Sequence, residues 1–258
     1  MVMIILAAGK GERLLPLTED RPKILVDLGD GTTLLSRQVA TLSTFESVDT
    51  LVIGAGHYTE TVESYVRELS PTIGSTVVHN PFFASSGPIV TLWITLSRIP
   101  DGDLMFMNGD TLYGTAIYQQ VKKLLASDKK GIFLVVSDDP PDNSDEIGVV
   151  MTEDNQIFCA EKGIDSVKFT SAGLVIVRGP EARAQLEETL DALSRTPAFL
   201  DQKSTWHSLF RALNSRGCPA QPVFVDRSLW KEIDIHFELR ELQKMLRNKL
   251  TSSGFTKD

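Results

Sequence analysis

This sequence has little cysteine, no long apolar run and no excess of positive charge. Its two cysteines, Cys159 and Cys218, fit neither a disulfide framework nor a set of zinc ligands. No apolar run reaches the roughly 20 residues of a membrane-spanning helix, and the first residues lack the basic region and cleavage site of a secretory signal. We therefore expect a cytoplasmic protein with no membrane partner. The net charge of −8 also argues against nucleic acid as a partner.

The sequence does contain a regular alternation of short apolar runs and amphipathic stretches. The runs predicted as strands are residues 2–6, 50–53, 75–79, 103–107, 131–137 and 167–177. The stretches predicted as helices are residues 34–44, 59–69, 88–98, 115–126, 180–193, 204–213 and 237–249. This order predicts an α/β fold, with a doubly wound, mostly parallel mixed sheet. A hairpin at 147–151 and 156–160 adds a small β insertion, and we expect one domain over 1–250 with a disordered tail at 251–258.

A glycine-rich loop follows the first predicted strand. Residues 6–14 read LAAGKGERL, and the glycines allow the backbone to turn sharply and to approach a ligand closely. Successive backbone amides in such a loop can form an anion site. Three cations, Lys10, Arg13 and Lys23, lie on or just after the loop. The combination predicts a cradle for a triphosphate, although an ordinary glycine-rich turn is the simpler alternative.

Neither of two common phosphate loops matches this one. A P-loop ends in Gly-Lys followed by Ser or Thr, whereas Glu12 follows Gly11 here. The dinucleotide-binding fingerprint needs a third glycine where this chain has Leu14. Pro16 and Pro22 prevent a long helix from starting at once. The loop is therefore expected to be extended and to carry its own cations.

The segment LAAGKGERLLPLTEDRPKIL, residues 6–25, resembles a known signature, LAAGxGxRLxPLTxxxPKxL. That signature is typical of the sugar-phosphate and choline-phosphate nucleotidyltransferases, which activate small phosphorylated compounds with a nucleoside triphosphate. The resemblance implies a Rossmann-like nucleotidyltransferase fold. It also implies catalytic roles for Arg13 and Lys23. The residues that it implies for nucleotide binding in this loop are Leu6, Ala8, Gly9 and Gly11.

A second segment, residues 79–93, is similar to the family pattern NPxFxxxNxxxSLW, which recognises base and substrate. Gly87 and Pro88 stand where the family usually has an asparagine, and this departure leaves the substrate open. Helix 88–98 is expected to begin at Pro88, with amides before it facing the ligand. The residues that the resemblance implies for nucleotide binding here are Asn80, Ser85, Ser86 and Gly87.

Two acidic motifs are candidates for a metal site. Asn108-Gly109-Asp110 follows a continuous apolar strand, and a carboxylate there can hold a metal or simply form a turn. The resemblance implies that Asp110 is a Mg²⁺ ligand, with Asn108 at the nucleotide. Near the other end, WKEID at residues 230–234 resembles W-x-[ED]-[IV]-D-T, whose last aspartate is the second Mg²⁺ ligand. Asp234 matches it, and a helix cap is a compatible role.

The acceptor site is less well marked. The resemblance makes Lys162 a candidate for contact with the transferred phosphates, and an ordinary surface lysine is the alternative. Aromatic residues could form a cage for a quaternary amine or simply belong to the core; they are Trp93, Trp206 and Trp230, with Tyr113 and Phe169. The acidic run 138–146 is expected to be a solvated loop, or else a lid facing a cationic substrate.

Together these features favour a Mg²⁺-dependent cytidylyltransferase. Its substrates would be CTP and a small phosphorylated or phosphonylated acceptor such as phosphocholine or an aminoalkyl phosphonate. One alternative is a sugar-1-phosphate nucleotidylyltransferase that uses UTP or dTTP. A different class of alternative is an inactive, nucleotide-sensing regulatory subunit, which would be expected to lose Asp110, Asp234, Arg13 or Lys23. A homodimer is left open as the assembly.

Overall fold

The computed structural model describes residues 1–164 and 166–247. Its helices are α1 (Leu34–Leu42), α2 (Thr59–Leu69), α3 (Pro88–Leu96), α4 (Thr115–Leu125), α5 (Pro180–Ser194), α6 (Ser208–Ser215) and α7 (His236–Arg247). Its strands are β1 (Val2–Ala7), β2 (Thr50–Ala55), β3 (Gly74–His79), β4 (Leu104–Asn108), β5 (Thr111–Tyr113), β6 (Gly131–Ser137), β7 (Ile147–Met151), β8 (Ile157–Lys162), β9 (Phe169–Arg178), β10 (Gln221–Val225) and β11 (Trp230–Glu232). None of the described helices is both long and apolar enough to cross a membrane.

A mixed, mostly parallel sheet runs through the described part of the chain in the order β10-β6-β9-β4-β1-β2-β3. Strand β1 lies at the centre, parallel to β2 and β4, while β2 is parallel to β3 and β6 to β10. Strand β9 is antiparallel to both β4 and β6. The β7–β8 hairpin joins this sheet through β9. The predicted doubly wound α/β sheet with a small β insertion is confirmed.

Helices cover both faces of the sheet, which explains why its central strands are continuously apolar. Successive side chains of a strand point to opposite faces. In β1, Met3 and Ile5 therefore enter the core beneath α1, α2, α4 and α7. Val2 and Ile4 enter the opposite core, beneath α3, α5 and α6. Fully burying each such side chain stabilises the fold by about 1.5–3 kcal/mol.

The carboxyl ends of β1, β3 and β4 lie at one edge of the sheet because these strands run in the same direction. The loops that leave them carry the glycine-rich segment, residues 80–87 and Asp110. Ligands of open α/β sheets bind at this edge. The fold thus brings three of the predicted motifs to one crevice.

One local prediction needs correction, one pair of strands was not predicted, and one prediction lies outside the described residues. Helix α6 begins at Ser208 rather than at Ser204, and residues 201–204 instead lie against residues 84–87. A two-stranded antiparallel ladder, β5 with β11, was not predicted. At three residues each, these strands are too short for a readable alternation. The predicted boundary at residue 250 and the tail 251–258 lie outside the described residues.

Candidate active site

The glycine loop after β1 packs directly against Lys23. Gly11 has a left-handed φ of 67°, and its carbonyl accepts a hydrogen bond of 2.9 Å from Thr18 Oγ1. A Cβ at Gly11 would lie 2.9 Å from the Cβ of Lys23. Glycine is therefore required at position 11 for two reasons, its backbone conformation and the space that it leaves for Lys23. The loop places Lys10 and Arg13 beside Lys23 along the cleft.

Three carboxylates meet beside this loop. Asp110 follows β4, and Glu232 and Asp234 belong to β11 and the residues just after it. The β5–β11 ladder pairs Thr111 with Glu232, and the Ile233 amide donates a hydrogen bond of 3.0 Å to the Asp110 carbonyl. One oxygen from each carboxylate lies within 4.8 Å of the other two. We call Asp110, Glu232 and Asp234 the carboxylate trio.

Lys23 and Arg13 tie the trio to the glycine loop. The Lys23 ammonium donates a hydrogen bond of 2.9 Å to Asp110 Oδ2 and another to Asp234 Oδ1. Arg13 Nη2 lies 2.7 Å from Asp234 Oδ2, and Arg13 Nη1 lies 2.9 Å from Asp145 Oδ2. The Asp234 side chain therefore contacts two cations at once. The helix cap considered for it is supplied in part by Glu238, whose carboxylate accepts from the Ile235 amide at 3.0 Å.

The charges in this cluster shift one another's protonation. Burial, together with Asp110 and Asp234, raises the pKa of Glu232 to about 8. Burial would also raise the pKa of Asp234, but Lys23 and Arg13 outweigh it and the pKa is lowered. Burial disfavours the Lys23 ammonium, yet Asp110 and Asp234 outweigh burial and raise its pKa. The oxygen-only donor set of the trio fits Mg²⁺, and a cation held there would compete with the proton on Glu232.

The cleft around the trio has two connected lobes. The small lobe, of ≈ 490 Å³, is lined by the glycine loop, Arg13 and Lys23. The large lobe, of ≈ 880 Å³, runs from β4 to the β7–β8 hairpin. Asp110 and Asp234 line both lobes. Groups bound in the two lobes would therefore meet at the carboxylate trio.

Most residues predicted for nucleotide binding line this cleft. They are Leu6, Ala8, Gly9, Gly11, Ser86, Gly87 and Asn108. Asn80 and Ser85 are not among the described lining residues. Asn80 is buried, accepts a hydrogen bond from the Phe82 amide and donates one to Thr91 Oγ1. The Ser85 hydroxyl donates to the Phe82 carbonyl at 3.3 Å. Both side chains therefore stabilise the turn after β3.

A strap formed by residues 201–206 lies across the segment 84–87. The Gly87 amide, which was expected to face a ligand, instead donates a hydrogen bond of 3.2 Å to the Asp201 carbonyl. A Cβ at Gly87 would lie only 2.0 Å from the Ser204 carbonyl oxygen. At the far end of the strap, Trp206 Nε1 donates to Asn108 Oδ1 at 2.9 Å. The glycine that replaces the family's asparagine thus lets the strap approach.

The three predicted tryptophans lie in different surroundings. Trp206 lines the large lobe, is 1% exposed and stacks on His207 at a ring distance of 3.6 Å. Trp93 is 40% exposed on α3, where its ring contacts Phe199 edge-on. Trp230 is buried beneath the guanidinium of Arg227, 3.9 Å from its ring centre. Neither Trp93 nor Trp230 is among the described residues lining the cleft, because both rings stabilise packing elsewhere.

Several further charged residues lie on the hairpin side of the large lobe, whereas Lys203 lines this lobe from the strap. Lys162, predicted near the phosphates, lines this lobe with its Nζ 3.6 Å from Asp145 Oδ1. Asp145 belongs to the acidic run 138–146, so part of that run faces the cleft as well as solvent. At its end, Glu146 pairs with Arg227 at 2.6 Å. The acidic run therefore connects Arg13 on one side of the cleft with Arg227 beside β11.

His207 is a buried titratable group at the back of the large lobe. Its Nε2 lies 3.0 Å from Ser171 Oγ, while its Nδ1 has no hydrogen-bond partner among the described residues. Burial, reinforced by Lys162, lowers its pKa to about 3. The imidazole is therefore neutral at physiological pH.

The residues of this cleft that sequence reasoning missed include Glu232, Asp145 and Gln202. Glu232 had a readable signal, since it stands two residues before Asp234 and this spacing puts two side chains on one face of a strand. Asp145 was read only as one member of an acidic run. Gln202 carried no signal, because it reaches the cleft only through the path of the strap.

Comparisons with known proteins identify the family of this chain. The sequence model of the nucleotidyl transferase family matches residues 2–163. The UTP–glucose-1-phosphate uridylyltransferase AglF of Haloferax volcanii is 29% identical over 154 residues, which are 60% of this chain and 61% of that protein. The match thus spans less than two thirds of that relative.

Solved structures share the fold over nearly the whole chain. The inositol-1-phosphate CTP transferase of T. maritima has a TM-score of 0.76 at 20% identity, covering 94% of each chain. The CTP:phosphocholine cytidylyltransferase of Streptococcus pneumoniae has a TM-score of 0.71 at 21% identity, covering 95% of this chain and 99% of that one. With more than half of its residues matched by the family's own model, the chain belongs to the nucleotidyl transferase family.

Proposed function

We propose that this nucleotidyltransferase transfers CMP from CTP to the phosphate or phosphonate of a small molecule, releases pyrophosphate and depends on Mg²⁺. The observation that carries the proposal is the carboxylate trio, joined to Arg13 and Lys23 where the two lobes of the cleft meet. Cations beside carboxylates at a glycine-lined lobe suit a triphosphate whose charge must be neutralised during transfer.

Each residue has a role that follows from its place. Arg13 and the amides of Gly9 and Gly11 bind the β- and γ-phosphates, since a guanidinium can make two parallel bonds to a phosphate. Lys23 acts as a point charge near the α-phosphate. Asp110, Glu232 and Asp234 hold Mg²⁺, which supplies charge neutralisation and alignment when bound. The acceptor oxygen is already ionised at neutral pH, so the chain needs no strong general base.

The large lobe offers both signs of charge to an acceptor. Lys162 can contact a phosphate or phosphonate, while Asp145 and Glu161 on the same wall can contact a cationic group. This mixture supports an acceptor of the phosphocholine, aminoalkyl phosphate or aminoalkyl phosphonate type. Of the three tryptophans predicted for this site, Trp206 is the one that lines this lobe.

A second candidate is a sugar-1-phosphate nucleotidylyltransferase that uses UTP or dTTP. It is favoured by the likeness to the uridylyltransferase of Haloferax volcanii. An inactive regulatory subunit is disfavoured, since Arg13, Lys23 and the carboxylate trio are all in place and in contact.

Pyrophosphate release tests the proposal. The enzyme would be assayed with Mg²⁺ over CTP, UTP, dTTP, ATP and GTP, each against phosphocholine, 2-aminoethylphosphonate, inositol phosphate and glucose-1-phosphate. Release with CTP and one small phosphate or phosphonate supports it. Release only with UTP or dTTP and the sugar phosphate would favour the second candidate. No release with any pair, despite nucleotide binding, would count against this acceptor class.

A further inference from the structure

The two walls of the cleft differ in charge. Phe83, Ser86 and Gln202 line both lobes on one wall, and Ala84 joins them in the small lobe. These four residues are uncharged, and Lys203 beside them adds one cation at the large lobe. The facing wall carries Asp145, Glu161 and Lys162. A nucleobase is flat and uncharged, so its desolvation against the first wall costs less free energy than that of a charged group would. A charged acceptor suits the second wall, where its charge can be paired.

Among the uncharged residues of the first wall, Gln202 has a defined amide orientation. Its side-chain nitrogen donates a hydrogen bond of 2.6 Å to the Ala84 carbonyl. A carbonyl oxygen can only accept, so the nitrogen and not the oxygen of the amide must face Ala84. No described residue donates a hydrogen bond to Gln202 Oε1. The side chain therefore offers an unused acceptor at the cleft.

The backbone that carries Gln202 is fixed on both sides. Before it, the Asp201 carbonyl accepts from the Gly87 amide at 3.2 Å. After it, Ser204 lies so close to Gly87 that any side chain at position 87 would collide with its carbonyl. Trp206, bonded to Asn108, anchors the end of the strap. Gln202 is thus held in place rather than free to turn its amide toward any ligand.

We propose that Gln202 selects the base of the nucleotide, its Oε1 accepting a hydrogen bond from the exocyclic amino group of cytosine. Uracil and thymine carry a carbonyl oxygen at the same position, and two acceptors facing each other leave both unpaired. The strap thereby discriminates CTP from UTP and dTTP. This inference rests on the proposed function, since it names the base that the same cleft takes.

Equilibrium binding tests the inference without knowledge of the acceptor. Dissociation constants for CTP and UTP would be measured by calorimetry with Mg²⁺, for the wild type and for Gln202→Leu. We expect the wild type to prefer CTP by about tenfold, as the loss of one hydrogen bond predicts. In Gln202→Leu the two constants should become nearly equal, mainly through weaker CTP binding. Gln202 is exposed, so the variant should fold, which a melting curve would verify.

Two further variants sharpen the test. Gly87→Ala removes no polar side chain but displaces the strap, and it should lower the CTP preference in the same way. Gln120→Leu, at an exposed position on α4, should leave the preference unchanged. Equal affinity of the wild type for CTP and UTP, or a preference that survives Gln202→Leu, would overturn the inference while leaving nucleotidyl transfer intact. A wild type that binds no nucleotide would instead refute the proposed function, and the inference with it.

Discussion

Asp145 Oδ2 lies 2.9 Å from Arg13 Nη1, so a carboxylate of the acidic run holds the guanidinium that a triphosphate would also bind. The same carboxylate lies 3.6 Å from the Lys162 ammonium. Asp145 thus contacts one cation of the glycine loop and one of the β7–β8 hairpin. Nucleotide binding at Arg13 must compete with this ion pair.

Replacing Asp145 should therefore strengthen nucleotide binding. In Asp145→Asn the competing charge is lost while the shape is kept. An exposed ion pair contributes about 0–1 kcal/mol, so the dissociation constant for the nucleotide should fall by up to about fivefold. Calorimetry at low and high salt would measure this, and the gain should shrink at high salt.

Asp138→Asn provides the matched control. Asp138 belongs to the same acidic run and is similarly exposed, but it pairs with Lys168 at 3.0 Å, and neither residue lines the described cleft. Its replacement should leave nucleotide affinity unchanged. An equal gain in both variants would show that net charge alone is responsible.

Removing a carboxylate of the trio should abolish turnover while preserving the fold. In Asp110→Ala a proposed Mg²⁺ ligand and a partner of Lys23 are lost together. We expect pyrophosphate release to fall by about three orders of magnitude, as for other groups that stabilise transition-state charge. Circular dichroism and a melting curve would verify folding, with Asp101→Ala at an exposed site as the control. Normal turnover in Asp110→Ala would rule out the carboxylate-trio site.

Among the tryptophans, Trp206 is the one whose replacement should affect the acceptor. Trp206→Phe removes the hydrogen bond to Asn108 at the wall of the large lobe. The KM for the acceptor should rise by up to about tenfold, which corresponds to one lost hydrogen bond. Trp93→Phe makes the same chemical change on α3 and should leave this KM unchanged. If both variants behaved alike, the placement of the acceptor in the large lobe would be wrong.

Stability should decline in mild acid because of His207. Its pKa is lowered to about 3 by burial in the folded state, against about 6.5 in the unfolded chain. As the pH falls below 6.5 the unfolded chain takes up this proton first, so the contribution of the neutral imidazole is complete above pH 6.5 and is lost toward pH 3. Between pH 7 and pH 4.5 the loss amounts to about 2–3 kcal/mol in the free energy of unfolding.

Urea unfolding of the wild type and His207→Gln across this pH range would isolate that contribution. The variant has no imidazole at this position. Between pH 7 and pH 4.5 its unfolding free energy should therefore fall less than that of the wild type, by the amount that His207 contributes. The carboxylates titrate in both proteins, so their contributions cancel in the difference between the two unfolding free energies. Parallel pH dependences would show that His207 is not the cause.

The sequence was most informative where one local segment carries the chemistry. The glycine loop, Asp110 and the Asp234 motif were all readable because each follows a strand or fits a compact pattern, and the structure brings them together. The hairpin and the sheet followed from clear periodicity. These features depend on neighbours within about ten residues.

Features that depend on contacts between residues distant in the sequence could not be predicted from the sequence. The β5–β11 ladder joins three-residue strands more than a hundred positions apart, and such pairing leaves no local trace. The strap could not be predicted. Only the structure shows that a Cβ at position 87 would collide with the Ser204 carbonyl, which is why a glycine is needed there. For Trp93 and Trp230, residue type alone could not separate a packing role from a binding role.

The β5–β11 ladder also has a consequence for how the protein is made. The glycine loop and Asp110 are translated well before Glu232 and Asp234, which stand more than a hundred positions later in the chain. Until β11 pairs with β5, a growing chain has the sheet but only one of its three clustered carboxylates. Synthesis order thus delays the finished centre until β11 has been translated, and a chain that stalls before β11 lacks it.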